Sequence, residues 1–299
     1  MKLIKSSFEI IEQAPGIQGV KKQIERAGRT CYKSEDKITE DSCEEFVQRM
    51  INSGHGAMLE HGTVYLKFNN TRKWVSEYSL EDSTYMGTFF TNNKYSKVNQ
   101  VGDTMYVTTN YRVLVENKRL DYLHYICEPT EHHEKRITVK FICDRGVSHE
   151  FVRHRVFSFA QESTRYCNYS RKDKFNEEIK CIIPSWTTRL FSNNSYDADL
   201  LSRYDIRITE EIPNIEYTLI KSWCEAENAY FHLLEQGYTA QQARAVLPNA
   251  LKTELIMTGF ISDWEHFFKL RCHNTAHPDA RALAIPLKET FIERGYING

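Results

Sequence analysis

The most distinctive chemistry of the sequence lies in a segment of fourteen residues, 153–166, which reads RHRVFSFAQESTRY. It contains three arginines, one histidine, two serines and one glutamine. Arginine presents a planar guanidinium fork that suits phosphate, whereas serine and glutamine offer donors and acceptors that recognise a heterocyclic ring. The segment therefore predicts a site for an anionic ligand that also forms hydrogen bonds.

Two other interpretations of segment 153–166 remain open on composition alone. The first is a solvated basic turn flanked by apolar residues, which needs no ligand. The second is a nucleic-acid-binding module, because four aromatic residues between positions 157 and 169 lie among the arginines and could stack on bases. The net charge of −1 argues against the second, since binding to a phosphate backbone usually requires a wider basic surface.

The spacing within this segment resembles a known signature. Arginine, histidine and arginine at 153–155 are followed by seven residues and then by Ser163, with Arg165 and Tyr166 shortly after. This arrangement is similar to that of the flavin-dependent thymidylate synthases. A match of this length is more specific than a short glycine motif.

Two further parts of the chain resemble the same family, in the order expected along the sequence. The first reads HGAMLEH at 55–61, and the second combines ARAVLP at 243–248 with WEHFFKLR at 264–271. The resemblance extends to about residue 285 and leaves out the segment 69–136.

The resemblance implies an FAD-dependent methyltransferase that converts dUMP to dTMP. Its co-substrates would be 5,10-methylenetetrahydrofolate as carbon donor and NADPH as reductant of the flavin. The FAD site would not be of the Rossmann type, and it would form where the subunits of a homotetramer meet. An arginine beside the uracil ring would stabilise charge there, in place of attack by a cysteine.

The family's functional residues are carried over position by position. Arg271 would be the catalytic arginine at the edge of the uracil ring. The FAD site would include His61, Thr63, Arg153, His154, Arg155, Gln161, Phe260, Ile261, Ser262 and His266, with His61 and Thr63 approaching from another subunit. The dUMP site would include Glu150, Phe151, Val152, Arg153, Gln161, Glu162, Ser163, Thr164, Arg165, Arg244 and Arg271.

Three residues of these sites depart from the family pattern or lack a role in it. Glu150 stands where the family often has a glutamine that faces the nucleotide, and Phe260 also differs from the usual choice. Glu162 adds a carboxylate inside the signature, with no role assigned to it. A structural protein that has lost the activity remains an alternative, against which the retained arginines argue.

Periodicity and capping signals predict the elements that position these residues. Strands are predicted over 2–12, 63–68 and 137–143. Helices are predicted over 19–30, 40–53 (with Thr39 as N-cap), 118–128, 146–154 and 213–236. Later helices are predicted after a capping box of Thr239 and Gln242, from a box of Ser262 and Glu265 to about Leu270, and from Pro278 with an interruption at Pro286.

These elements, together with the family resemblance, predict an α+β fold in which residues 1–299 form a single domain. We expect one mixed, twisted sheet packed by helices. Segment 69–136 is expected to be an insertion that decorates the periphery or extends a subunit contact. The chain length of 299 residues allows a core of this size.

The remaining composition predicts a cytoplasmic protein without metal, membrane or nucleic-acid partners. The N-terminus has no apolar segment typical of a signal peptide, and no run of residues is apolar enough to cross a membrane. The eight cysteines include no CxxC pair, which favours reduced thiols. The HGAMLEH segment lacks the HExxH spacing of a zinc site.

Overall fold

The computed structural model describes residues 1–69, 89–189, 207–208 and 217–299. Its strands are β1 (Lys2–Ile4), β2 (Ser7–Ile11), β3 (Thr63–Phe68), β4 (Lys97–Val101), β5 (Thr104–Asn110), β6 (Arg136–Asp144), β7 (Ser158–Gln161), β8 (Lys180–Ile182), β9 (Arg207–Ile208) and β10 (Lys252–Phe260). Its α-helices are α1 (Gly16–Tyr32), α2 (Ser42–Asn52), α3 (Gly56–Leu59), α4 (Tyr111–Glu116), α5 (Arg145–Phe151), α6 (Lys172–Phe175), α7 (Tyr217–Glu235), α8 (Ala240–Ala243), α9 (Ile261–Arg271) and α10 (Pro278–Glu293).

The strands of the described residues form three sheets, so the predicted single mixed sheet is wrong, although the α+β class is confirmed. The central sheet is antiparallel, in the order β2-β6-β10-β7. A second antiparallel sheet has the order β3-β5-β4, and a small parallel sheet has the order β8-β1-β9. The predicted strand 2–12 is divided between two sheets, because β1 pairs with β8 whereas β2 pairs with β6.

The strand β10 lies between β6 and β7 and was not predicted from the sequence. Every residue from 253 to 260 is buried. One face of the strand contacts the helices α9 and α10, and the other face contacts the side of α1. A strand covered on both faces lacks the alternation of apolar and polar residues that identifies a half-buried strand.

Some of the predicted elements and capping signals are confirmed, and others are corrected. The strand 63–68 and the capping box of Thr239 and Gln242 are as predicted. Asp41, not Thr39, occupies the N-cap position of α2. At the start of α9 the carboxylate of Asp263 accepts from the Phe260 N–H at 3.0 Å, so the predicted box of Ser262 and Glu265 is wrong.

Two further helix predictions need correction. The range 118–128 holds only a 3₁₀ helix (Leu120–Tyr125), and α4 before it was not predicted. Pro286 lies inside α10 and does not interrupt it. The neighbours Leu283, Ala284 and Leu287 are buried in the core, and this packing offsets the missing backbone hydrogen bond. Of the predicted helix 213–236, residues 213–216 lie outside the described ranges.

The described part of segment 69–136 is integral to the packing. The strand β5 pairs with β3 over the full length of β3. Val107 and Leu114 have no exposed surface, and both belong to the core beneath α1 and α2. The prediction of a peripheral decoration is therefore wrong for residues 89–136. The reason is that β3 needs β5 to satisfy one edge of its backbone.

Within the described ranges, no helix is long and apolar enough to cross a membrane. All eight cysteines are free.

Candidate functional site

The helices α5 and α9 bring one group of predicted site residues together. The rings of Phe151 in α5 and Phe267 in α9 are 5.0 Å apart, and both pack on Phe141 of the central sheet. All three rings are fully buried. This contact fixes the end of α5 against the last turn of α9, where Arg271 lies.

The guanidinium of Arg271 uses each of its three nitrogens. Nη1 donates to Oε2 of Glu150 at 2.5 Å, and Nη2 donates to the backbone oxygen of Glu150 at 2.6 Å. Nε donates to Nε2 of His154 at 3.0 Å. The side chain of Arg271 is 16% exposed and that of Glu150 is 33% exposed. The predicted catalytic arginine is therefore held in one orientation at the edge of the fold.

His154 is neutral in this arrangement. Burial lowers the pKa of His154 to about 4, with further contributions from the charge of Arg271 and from His266. Because Nε2 accepts from Arg271, the ring proton resides on Nδ1. The rings of His154 and His266 are 6.2 Å apart. His154 thus acts as a hydrogen-bond acceptor that orients Arg271.

A second group forms around the end of the signature segment. Nη1 of Arg244 donates to Oγ1 of Thr164 at 3.3 Å, and Nε of Arg165 donates to Oε1 of Gln241 at 3.2 Å. Both arginines are exposed. The N–H of half-buried Ser163 donates to a carbonyl at the end of α1, which anchors the segment. Two exposed guanidinium groups beside hydroxyl and amide groups form a site suited to an anion.

Gln161 lies in sequence between His154 and Thr164, and its side chain forms hydrogen bonds within the fold. Its Nε2 donates to Oγ of Ser148 in α5 at 2.8 Å and to Oγ1 of Thr253 in β10 at 3.2 Å. These bonds hold the end of β7 against α5. Ser148 and Thr253 were both missed by sequence analysis. Thr253 lies in β10, which was not predicted.

His61 and Thr63, which are predicted to approach FAD from another subunit, are both buried in the folded chain. His61 is fully buried, and its Nδ1 is 2.8 Å from Oγ1 of Thr258. Oγ1 of Thr63 accepts from Nη1 of Arg136 at 3.3 Å. Burial, and then the charge of Arg136, lowers the pKa of His61 to about 3. Arg136 therefore contacts Thr63 directly and acts on His61 through its charge.

Arg136 was also missed from the sequence. It is buried, and Nη1 donates to the carbonyl of Glu60 while Nη2 donates to Oγ of Ser158. Burial lowers its pKa to about 10. Its guanidinium lies 5.5 Å from the ring centre of Phe260, and the amine of Lys97 lies 5.6 Å from the same ring. Phe260 is thus enclosed between two cations.

Ile261 and Ser262, which complete the predicted FAD stretch 260–262, form hydrogen bonds with the two residues that directly precede β6. The N–H of half-buried Ile261 donates to the carbonyl of Lys135 at 3.0 Å. Oγ of Ser262 donates to Oε1 of Glu134 at 2.5 Å. Only Ser262 in this stretch is exposed. Phe260 and Ile261 therefore contribute to packing, and Glu134 and Lys135 join the candidate site from segment 69–136.

Three residues that are predicted to contact dUMP are buried or half-buried in the folded chain. Phe151 belongs to the core, and its neighbour Val152 is half-buried against the same core. Glu162 is buried, and its Oε2 accepts from Nζ of Lys252 at 2.7 Å. Residues 160 and 162 share one face of the extended chain, and that face points inward. Glu162 therefore neutralises a buried lysine.

Arg153, Arg155 and His266 remain available to a ligand. All three are exposed, and within the described ranges no side-chain hydrogen bond or ion pair engages Arg153 or Arg155. They flank His154 on the surface next to Arg271. Among the residues that the structure describes, no group of His, Cys, Asp and Glu side chains is arranged to hold a metal ion.

The cysteines are not activated for nucleophilic attack. None of the eight is exposed. Burial raises the pKa of every one of these thiols, for example to about 11 in Cys31 and to about 12 in Cys167. A thiol attacks as its thiolate, which is scarce in such surroundings near neutral pH.

The chain matches a known protein family over more than half of its length. Residues 114–294 match the sequence pattern of the family described as "Thymidylate synthase complementing protein". The match begins inside segment 69–136 and includes both groups of site residues.

Curated relatives carry the name flavin-dependent thymidylate synthase. The protein of Corynebacterium aurimucosum is 29% identical over 170 residues, which cover 55% of this chain and 62% of that protein. The protein of Geobacter sulfurreducens is 31% identical over 143 residues, which cover 48% of this chain and 50% of that protein. The chain therefore spans about half to three-fifths of the length of the curated relatives that it matches.

Among solved structures, a UMP/dUMP methylase from Streptomyces cacaoi bound with 5-Br dUMP aligns with 98% of this chain and 93% of its own. The TM-score is 0.43 and the sequence identity is 15%.

Proposed function

The chain belongs to the family of thymidylate synthase complementing proteins, and from this premise we propose that it is a flavin-dependent thymidylate synthase. The reaction converts dUMP to dTMP. FAD is the bound cofactor, 5,10-methylenetetrahydrofolate donates the carbon, and NADPH is the reductant. Relatives that share about half of their length with this chain carry this name.

The observation that carries the proposal is the meeting of Arg165 and Arg244 at the end of the signature segment. They are 79 positions apart in sequence, yet one contacts Gln241 and the other contacts Thr164. Both guanidinium groups are exposed and neither has a carboxylate partner within the described ranges. A nucleotide phosphate suits such a pair, because it accepts charge-assisted hydrogen bonds from both.

The residues around Arg271 fit an anionic cofactor such as FAD. Arg153 and Arg155 are exposed cations, which suit a pyrophosphate, and His266 and Ser262 add polar groups nearby. We propose that these four residues and His154 hold FAD, without His61, Thr63, Phe260 or Ile261. When bound, FAD supplies the hydride that completes the methyl group.

Arg271 has the features that the methylation of uracil requires. Carbon C5 of uracil attacks an electrophile only when negative charge accumulates on the ring nitrogen and oxygens. A half-buried guanidinium stabilises that charge more strongly than a fully hydrated one, because the local dielectric is lower. Glu150 and His154 hold the group in place, so it needs no reorientation during the reaction. The raised pKa of all eight thiols supports a mechanism without a cysteine nucleophile.

We further propose that residues 1–299 act as one domain in a homotetramer with active sites between subunits. Within the described ranges, no hydrogen bond or ion pair directly joins the group around Arg271 to the group around Arg165. A neighbouring subunit that brings a second copy of either group across an interface would complete the site.

The visible absorption spectrum of the purified protein tests the proposed function. We expect a flavin spectrum that changes when dUMP is added and bleaches when NADPH is added without oxygen. A colourless protein that cannot be reconstituted with FAD would contradict the proposal.

Replacing Arg165 with alanine is expected to weaken dUMP binding by about tenfold to a hundredfold, because the phosphate loses a charge-assisted hydrogen bond. The flavin content is expected to stay unchanged. Calorimetric titration with dUMP measures the effect. Arg171→Ala is the control, since Arg171 is also exposed but pairs with Asp173 in the first turn of α6. Equal dUMP affinity in wild type and Arg165→Ala would remove Arg165 from the nucleotide site.

A further inference from the structure

The pairing of Glu150 with Arg271 leaves hydrogen-bonding groups that can recognise the base of a nucleotide. The inference drawn from them rests on the proposed function. A guanidinium has two hydrogens on each terminal nitrogen and one on Nε. Nη1 and Nη2 each use one hydrogen on Glu150, and Nε uses its hydrogen on His154. One hydrogen therefore remains on Nη1 and one on Nη2.

The carboxylate of Glu150 also keeps an acceptor. Its Oε2 receives Nη1 of Arg271, whereas no donor within the described ranges contacts Oε1. The side chain is one-third exposed, so this oxygen can meet a ligand. The pair therefore presents a donor from Arg271 next to an acceptor from Glu150.

We propose that Glu150 and Arg271 together select uracil over cytosine. The Watson–Crick edge of uracil has an N3–H donor between two carbonyl oxygens. In this position N3–H donates to Oε1 of Glu150, and an adjacent carbonyl accepts the remaining hydrogen of Nη1. Glu150 becomes a specificity-determining residue, in addition to being the counter-ion that positions Arg271.

Cytosine does not match the same pair. Its N3 carries a lone pair and no hydrogen, so this lone pair would face the negative carboxylate. The cost is that of an unpaired, desolvated polar group together with repulsion between two acceptors. A glutamine at position 150 would remove the barrier, since an amide can rotate and donate to N3 of cytosine. The carboxylate of Glu150 is therefore the selective group.

The test compares dUMP and dCMP binding to the FAD-loaded protein as purified, using calorimetry. In Glu150→Gln the preference for dUMP over dCMP is expected to fall by about tenfold to a hundredfold, chiefly through tighter dCMP binding. Glu150→Asp keeps the carboxylate and is expected to keep rejecting dCMP. Glu265→Gln makes the same chemical change at an exposed position of α9 and is expected to leave the preference unchanged.

A purely structural role for Glu150 would lower the melting temperature of Glu150→Gln and leave the preference as in wild type. That result would overturn the inference and leave the proposed function intact. A wild-type protein that holds FAD but binds neither nucleotide would overturn the proposed function itself, and this inference with it.

Discussion

Arg271→Ala is expected to lower methyl transfer to dUMP by about a hundredfold to a thousandfold while the protein keeps its flavin. The guanidinium lies at the end of α9, half-buried, with three hydrogen bonds that fix its direction. Its loss removes a preorganised charge from the place where the proposed reaction develops negative charge on the ring. The largest effect is therefore expected on kcat for dTMP formation.

Single-turnover measurement of dTMP formation by the pre-reduced enzyme isolates this step from flavin reduction. Lys269→Ala is the matched control, because it removes an exposed cation two positions earlier on the same helix. Arg271→Lys keeps the charge but loses the planar fork, so it is expected to lie between wild type and Arg271→Ala. Turnover of Arg271→Ala at the rate of the control would exclude Arg271 from the chemistry.

A second readout reports whether Arg271 lies against His154 in solution. The charge of Arg271 is one cause of the lowered pKa of His154, after burial. In Arg271→Ala this pKa is expected to rise toward its ordinary value, and titration of the imidazole by NMR measures it. A pKa that stays near 4 would mean that burial alone sets it.

The sequence predicts the position of the chemistry better than it predicts which side chains are free to perform it. Segment 153–166 is recognisable because several ligand-binding residue types occur close together, and the structure brings Thr164 and Arg165 beside Arg244 and Gln241. Gln241 carried no signal of its own in the sequence. It precedes the capping residue Gln242 and contacts Arg165 only through the tertiary fold.

The predicted site residues that the structure buries share one physical cause, because their side chains lie on the inward face of the local structure. Phe151 lies just before the signature segment and Glu162 lies within it, but each side chain points inward, from α5 and from the extended chain after β7 respectively. His61 is buried against Thr258 of β10, a strand whose continuous burial hides its periodicity from sequence analysis. Without β10, neither the partner of His61 nor that of Glu162 could be identified.

The pH dependence of stability provides the second large effect, because the buried histidines include His154 and His61, whose pKa values are strongly lowered. The ordinary histidine pKa is 6.5, whereas burial lowers it to about 4 in His154 and to about 3 in His61. Below pH 6.5 the unfolded chain takes up protons that the folded chain excludes. The contribution of these two histidines to the free energy of unfolding is therefore complete above this pH, and it decreases as the pH falls toward 4.

Each histidine is expected to contribute a slope of about 1.4 kcal/mol per pH unit between about pH 6 and pH 5, where only the unfolded state is protonated. Urea unfolding at a fixed protein concentration over this range measures the slope. His154→Gln keeps an oxygen that can accept from Arg271, and it is expected to reduce the slope by the equivalent of one proton. His61→Gln is expected to do the same.

His232→Gln is the control, since His232 is exposed on α7 in the folded chain. It removes a histidine without removing a buried neutral ring. Slopes in His154→Gln and His61→Gln equal to that of this control would mean that both rings become protonated in the folded state at ordinary pH. Arg271 would then face a cation instead of an acceptor, so the same result would also contradict the hydrogen bond that orients Arg271 at the proposed uracil site.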